Sequence, residues 1–309
     1  MLALGSVVGW LLARWVERLV AHEDALEAAT IPPGEPRLCD EPELLSRRGR
    51  ALLAIGVTAL LFALFHQAVI RLRCQEIPES GAFDWIHLRI GYHLVLIALL
   101  VAATATDLRR YIIPDQVTAS GMLFGVAVAT LQGNLHLVPL WIDWNEEIPG
   151  IRGGYIPEWI RQHDHWHGFA WSLTGLVAGA VLTWLLRKVS SLLMGQEALG
   201  FGDVTLMGMI GSFIGWQAIV FVFLLAPICG LAGAVITAVT GGRTYVPYGP
   251  PLALAAVVVL FSWRWLWTPT RTIFGDWPSL AMLGGITFGG LIVLLGLLQL
   301  YRRIPGKNR

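Results

Sequence analysis

Long uncharged apolar runs, separated by short polar clusters, dominate the pattern of this chain. The runs are Leu94–Thr106, Val117–Leu131, Phe169–Leu186, Val204–Thr240, Leu252–Trp263 and Leu280–Leu300. A helix needs roughly 20 predominantly apolar residues to cross the hydrocarbon core of a bilayer. With flanking residues, the pattern predicts spans at 2–20, 50–70, 86–106, 116–133, 167–187, 204–216, 218–240, 249–267 and 279–301. The run from Val204 to Thr240 would measure roughly 55 Å as one helix, too long for a single crossing. A break is therefore expected near Gly215-Trp216-Gln217. The predicted fold class is all-α: a polytopic membrane helix bundle of about nine spans, with residues 1–309 forming a single integral membrane domain embedded in the lipid bilayer.

Composition supports this pattern and charge orients it. Hydrophobic residues make up 55% of the chain and charged ones only 14%, too few to cover the surface of a water-soluble protein of this size. The net charge of +1 leaves no basic footprint for nucleic acid, so no nucleic-acid partner is expected. Arg14, Glu17 and Arg18 follow the apolar part of the first segment, the reverse of a cleavable signal peptide, so it reads as a retained span. Lys and Arg in short loops mark the cytoplasmic side. Arg47, Arg48, Arg50, Arg109, Arg110, Arg187, Lys188, Arg243 and the group Arg302–Arg309 all fall on one face if the break near Gly215 exists. Residues 133–166 carry mostly acidic charge and belong outside, which puts the N-terminus out, the loop 21–50 in and the C-terminus in. Trp10, Trp85, Trp166, Trp216, Trp263, Trp265, Trp267 and Trp277 read as interfacial anchors. The spacings Gly121/Gly125, Gly175/Gly179, Gly211/Gly215 and Gly285/Gly289 permit close helix packing.

Acidic residues at membrane boundaries are costly and carry the candidate chemistry. Asp107 directly follows one apolar run and Asp203 directly precedes another, both at the predicted cytoplasmic edge. Two carboxylates at one depth can form an aspartic dyad that shares one proton, because close like charges do not both ionise. The charged member activates water and the protonated member donates to the peptide carbonyl. Asp203 closes Gly200-Phe201-Gly202-Asp203, where the glycines allow a tight turn and close backbone approach. Pro114 disfavours helix at Ile113 and marks a break before the fourth span. Asp115, just beyond it, is a third candidate at the same depth. Cys39, Cys74 and Cys229 are widely spaced, and His163, His165 and His167 alternate in what reads as a solvated loop beside Trp166. Neither set predicts a metal site or a disulfide framework, and no cofactor is expected.

Asp107 with Ile113-Pro114-Asp115, followed by the GxGD sequence at 200–203, resembles the paired signatures of the prepilin peptidase family, the type IV leader peptidases. Gly208-Met-Ile-Gly211-Ser-Phe-Ile-Gly215-Trp216 is similar to the family's glycine-spaced helix. Val246-Pro247-Tyr248-Gly249-Pro250 is similar to its late proline–glycine motif, and Gly5-Ser6 with Arg14 to its N-terminal helix. The resemblance implies a GxGD aspartyl protease with a core at about 86–268 in the bacterial inner membrane. It would cleave type IV prepilin-like (pseudopilin) precursors, proteins with a short basic leader before an apolar helix, at the cytoplasmic face. It implies catalytic roles for Asp107 and Asp203 and motif or supporting roles for Gly200, Gly202, Pro114 and Asp115, the last with no catalytic role. Members that also N-methylate the new terminus carry four cysteines in two CxxC pairs, whereas residues 21–50 hold only Cys39, so methyl transfer is not expected. Thr205 stands where the family has lysine, the loop 133–166 is long, and 279–301 is an added span. The rival readings are a presenilin-like protease, a transporter with intramembrane carboxylates and an inactive precursor-binding relative. The first would need a Tyr-Asp dipeptide and a Pro-Ala-Leu tripeptide, both missing from the sequence. The second would need paired broken helices in related halves.

Overall fold

The computed structural model describes residues 1–30, 45–75, 83–142, 156–194, 199–240, 247–286 and 289. In chain order the helices are α1 (Leu2–Thr30), α2 (Arg47–Ile70), α3 (Phe83–Arg110), α4 (Asp115–Gln132), α5 (Glu158–Gln162), α6 (Asp164–Met194), α7 (Phe201–Thr240) and α8 (Gly249–Phe274). Residues 277–286 are also helical, and no strand occurs among the described residues. Five of these helices are long and apolar enough to cross a membrane: α2, the Ile86–Arg110 part of α3, the Asp164–Leu192 part of α6, the Phe201–Val235 part of α7, and α8. The expected span 279–301 lies mostly outside the described residues.

The backbone of α7 breaks at Gly215, whose φ of 80° and ψ of 171° fall in a region essentially reserved for glycine. The consequence is a reversal of the chain. A side chain added at Gly179 of α6 would touch both the Met207 carbonyl and, at 3.2 Å, Ile219 Cγ1. Those two residues would stand roughly 18 Å apart along one straight helix. The two limbs of α7 therefore fold back on each other and pack together against α6. Gly175 and Gly211 let the α6 and α7 backbones meet without an intervening side chain, the close approach that small residues permit between membrane helices.

The helices define two rims. At one, Gln217 Nε2 donates to the carbonyls of Pro139 (2.9 Å) and Leu140, and Trp216 Nε1 donates to Leu140 O at 2.9 Å, fastening the tip of the α7 hairpin to the segment after α4. Leu135, Leu137 and Val138 of that segment are buried. Trp141 stacks on Trp277 at 4.9 Å, and Arg89 of α3 donates to His136 O at 3.2 Å. The other rim gathers the C-terminal end of α3 and the N-terminal ends of α4, α7 and α8.

Several expectations need correcting. Residues 21–30, read as loop, continue α1: Ala, Glu and Leu there favour helix. Ion pairs hold the extension, with Glu17 receiving Arg50 and Arg109 at 3.0 and 3.1 Å, and Asp24 receiving Arg110 at 2.6 Å. Trp263 and Trp267 are not interfacial anchors but core residues, stacked on each other at 5.3 Å. His165 and His167 lie within α6 and not in a solvated loop, because α6 starts at Asp164. His167 is only 1% exposed, and its Nε2 accepts from Leu140 N at 3.0 Å. Among the described residues no group of three His, Cys, Asp or Glu is placed to hold a metal ion.

Candidate active site

Both boundary aspartates sit at the rim opposite the α7 hairpin tip. Asp107 lies one turn before the end of α3, which Tyr111 terminates with a φ of 55° while its N–H closes the last turn onto Asp107 O at 2.9 Å. Buried Ile113 follows, and Pro114 then opens α4 as its N-cap, with Val117 N donating to Pro114 O at 2.9 Å. The proline break thus ends α3 just below Asp107 and leaves the helix end free to face α7 and α8.

Asp203 is the third residue of α7, with Gly200 in the cap position. Its Oδ2 reaches back to accept from Gly200 N at 3.2 Å. This is the reciprocal arm of a capping box, in which an acidic residue in the first turn satisfies an otherwise unpaired cap N–H. Asp107 receives equivalent support from a different helix. Gly249 N, at the start of α8, donates to Asp107 Oδ2 at 3.1 Å. Helix N-termini carry unpaired N–H groups and a positive dipole end, and so attract carboxylates. Each aspartate is thus held by one helix N-terminus, and among the described residues each accepts only this one hydrogen bond.

Ile113 ties the two halves together. A side chain on Gly202 would lie 3.2 Å from Ile113 Cβ, and one on Gly249 would lie 3.1 Å from Ile113 Cδ1 and would touch the Asp107 carboxylate. The residue before Asp203 and the residue that holds Asp107 therefore pack on the same isoleucine. The two carboxylates are close enough to repel one another electrostatically. Asp107 is 5% exposed and Asp203 is 7% exposed, so both are largely withdrawn from solvent yet not sealed. A buried pair of acidic groups, each with one oxygen fixed by an N–H, can hold a water and a carbonyl between them.

The other sequence candidates separate. Asp115 is exposed, in the first turn of α4. Gly200 and Gly202 flank Asp203 as the motif suggests, and Pro114 ends the α3–α4 connection. Tyr248, the cap residue of α8, directly precedes the Gly249 that holds Asp107 and was not singled out from sequence as a site residue. A tyrosine next to an apolar run reads as a core aromatic, and only its position in space brings it near Asp203. Beside Ile112 an open cleft of about 260 Å³ is lined by Glu23, Asp24, Glu27 and Arg110 among others.

Residues 159–235 match the model of the Type IV leader peptidase family. That stretch includes Asp203 and its motif, while Asp107 precedes it. The prepilin leader peptidase/N-methyltransferase of Aeromonas salmonicida (strain A449) is 29% identical over 170 residues, which is 54% of this chain and 47% of that protein. The type 4 prepilin-like proteins leader peptide-processing enzyme of Escherichia coli O78:H11 is 29% identical over 184 residues, covering 60% and 54%. The prepilin leader peptidase/N-methyltransferase of Neisseria gonorrhoeae is 26% identical over 197 residues, covering 61% and 57%. The matched part of the chain spans about half the length of these curated relatives. No solved structure matches the chain.

Proposed function

We propose that this chain, an integral membrane relative of the type IV leader peptidase, or prepilin peptidase, family, is an aspartic endopeptidase that removes leader peptides from type IV prepilin-like precursors at the cytoplasmic face of the bacterial inner membrane. The observation that carries this reading is the convergence of Asp107 and Asp203, from the end of α3 and the start of α7, on one nearly buried spot where each carboxylate is fixed by a backbone N–H.

In this reading the charged aspartate takes a proton from a bound water as its oxygen bonds to the carbonyl carbon. The protonated aspartate hydrogen-bonds the carbonyl oxygen, which takes up the displaced electron pair. The C–N bond then breaks, and the leaving nitrogen receives a proton from the pair, so that one water is consumed and the dyad returns to its starting state. The chemistry calls for no metal or cofactor.

Two further features support the substrate class. The cleft beside Ile112 is lined by Glu23 and Glu27 as well as the Asp24–Arg110 ion pair, a net charge opposite to that of a basic leader. The rim position of the dyad suits a bond at the junction between a polar leader and an apolar helix. Proteolysis without methyl transfer is the activity proposed, because residues 21–50 contain Cys39 alone.

The test is cleavage of a type IV prepilin by the purified chain in detergent, followed by a mobility shift and mass spectrometry. Wild type should cut at the leader junction, and Asp107→Asn and Asp203→Asn should each lose activity by on the order of 10³-fold or more. Asparagine keeps the shape of aspartate but can neither take water's proton nor share one. Cleavage at the wild-type rate by Asp203→Asn would overturn the assignment.

A further inference from the structure

We propose that the Tyr248 hydroxyl is a further catalytic group of this site, a hydrogen-bond donor to the carbonyl oxygen of the bond being cleaved. The inference rests on the aspartic peptidase reading and adds a residue to it. Tyr248 occupies the cap of α8, directly before Gly249, whose N–H holds Asp107. Its backbone is fixed there, because Leu252 N donates to Tyr248 O at 3.2 Å. Its half-buried ring packs against the second limb of α7, with Cε2 4.0 Å from the point where a side chain on Gly230 would begin. Pro251 lies 3.7 Å from that same point. The ring is thereby wedged between α8 and the second limb of α7, on the residue directly before the Gly249 N–H that holds Asp107.

The hydroxyl makes no hydrogen bond among the described residues, although it lies within electrostatic reach of Asp203. A phenol in that position without an internal partner is available to a ligand. It also keeps its proton: burial first, then the neighbouring Asp203 and Cys229, push Tyr248 up to about 12. At working pH it is therefore a neutral donor, which suits a carbonyl oxygen gaining negative charge. As water's oxygen bonds to the carbonyl carbon and the π electrons move onto oxygen, the phenolic O–H strengthens its hydrogen bond without transferring its proton. A donor of this kind acts mainly in the transition state.

Tyr248→Phe removes only the hydroxyl and leaves the ring wedge in place. With wild type cutting the purified prepilin, the variant should lose on the order of 100-fold in kcat with KM changed by less than about two-fold. Its thermal unfolding should match wild type, which separates lost chemistry from lost packing; Tyr248→Leu, lacking the wedge, should unfold earlier. An unchanged kcat in Tyr248→Phe would overturn the proposal while leaving the dyad intact, and so would a loss confined to KM. Failure of wild type to cut the prepilin would instead remove the peptidase reading and this proposal with it.

Discussion

At the scale of single residues, the site is held by backbone donors that the amino-acid sequence does not display. Asp107 and Asp203 were legible as candidates because a carboxylate bordering an apolar run is costly. Asp115 was not separable from them by depth, and its exposure in the folded chain is what sets it apart. The grip of Gly249 N on Asp107 was not legible, since any residue type offers an N–H and only the fold brings it near. This grip leads to a prediction. Gly249→Ala would push a methyl into the Asp107 carboxylate and against Ile113 Cδ1, displacing one half of the pair. Its cleavage rate should fall at least about ten-fold, in line with the cost of misplacing a reacting group by about an ångström, while expression stays near normal. Asp115→Asn should keep substantial activity. The proposed dyad would act as one unit, so the Asp107→Asn/Asp203→Asn double variant should be no slower than either single variant, measured by single-turnover cleavage. Additive losses would show that the two groups act independently.

At the scale of elements, length and glycine content revealed more than hydrophobicity did. The run from Val204 to Thr240 exceeded what one crossing needs, and the reversal falls at Gly215, inside the predicted segment. The pairs Gly121/Gly125, Gly175/Gly179 and Gly211/Gly215 all lie at close helix contacts, whereas Gly285 and Gly289 meet nothing among the described residues. The polar end of α1 was missed for the opposite reason. Residues 21–30 look like a solvated loop, and their helix is held by Glu17 and Asp24 through partners distant in sequence. Trp263 and Trp267 mislead similarly, because an aromatic near the end of an apolar run fits either an interface or a core. Gly215→Ala should destabilise the bundle markedly. Alanine strongly disfavours φ 80°, ψ 171°, and its methyl would collide with the Trp171 ring. The expected loss is about 1–3 kcal/mol from the backbone alone, with more from the collision, read as an earlier midpoint in denaturant unfolding. A neutral Gly215→Ala would mean that the α7 limbs do not depend on this turn.

At the scale of the whole molecule, the distribution of charge gives the bundle an expected orientation. Arg50, Arg109 and Arg110 gather at the rim of the aspartates through Glu17 and Asp24. The rim formed by residues 133–142 carries the α7 hairpin tip and the Trp141–Trp277 stack. Sidedness itself comes only from the positive-inside tendency, because a helix bundle looks alike from either face of a bilayer. It can be tested with single cysteines in a chain whose Cys39, Cys74 and Cys229 are replaced. Asn134 and Lys188 are both exposed and lie toward opposite rims. An impermeant maleimide added to intact cells should label Asn134→Cys and not Lys188→Cys, and membrane disruption should make both reactive. The hairpin is what makes this outcome informative. If the chain passed straight through Gly215, α8 would begin at the rim of Gly133, and Gly249 could not reach Asp107. Labelling of both positions from outside would break the two-rim arrangement and with it the meeting of Asp107 and Asp203. Labelling of Lys188→Cys alone would keep the dyad but turn it outward, where a leader still attached to its precursor in the cytoplasm would not meet it.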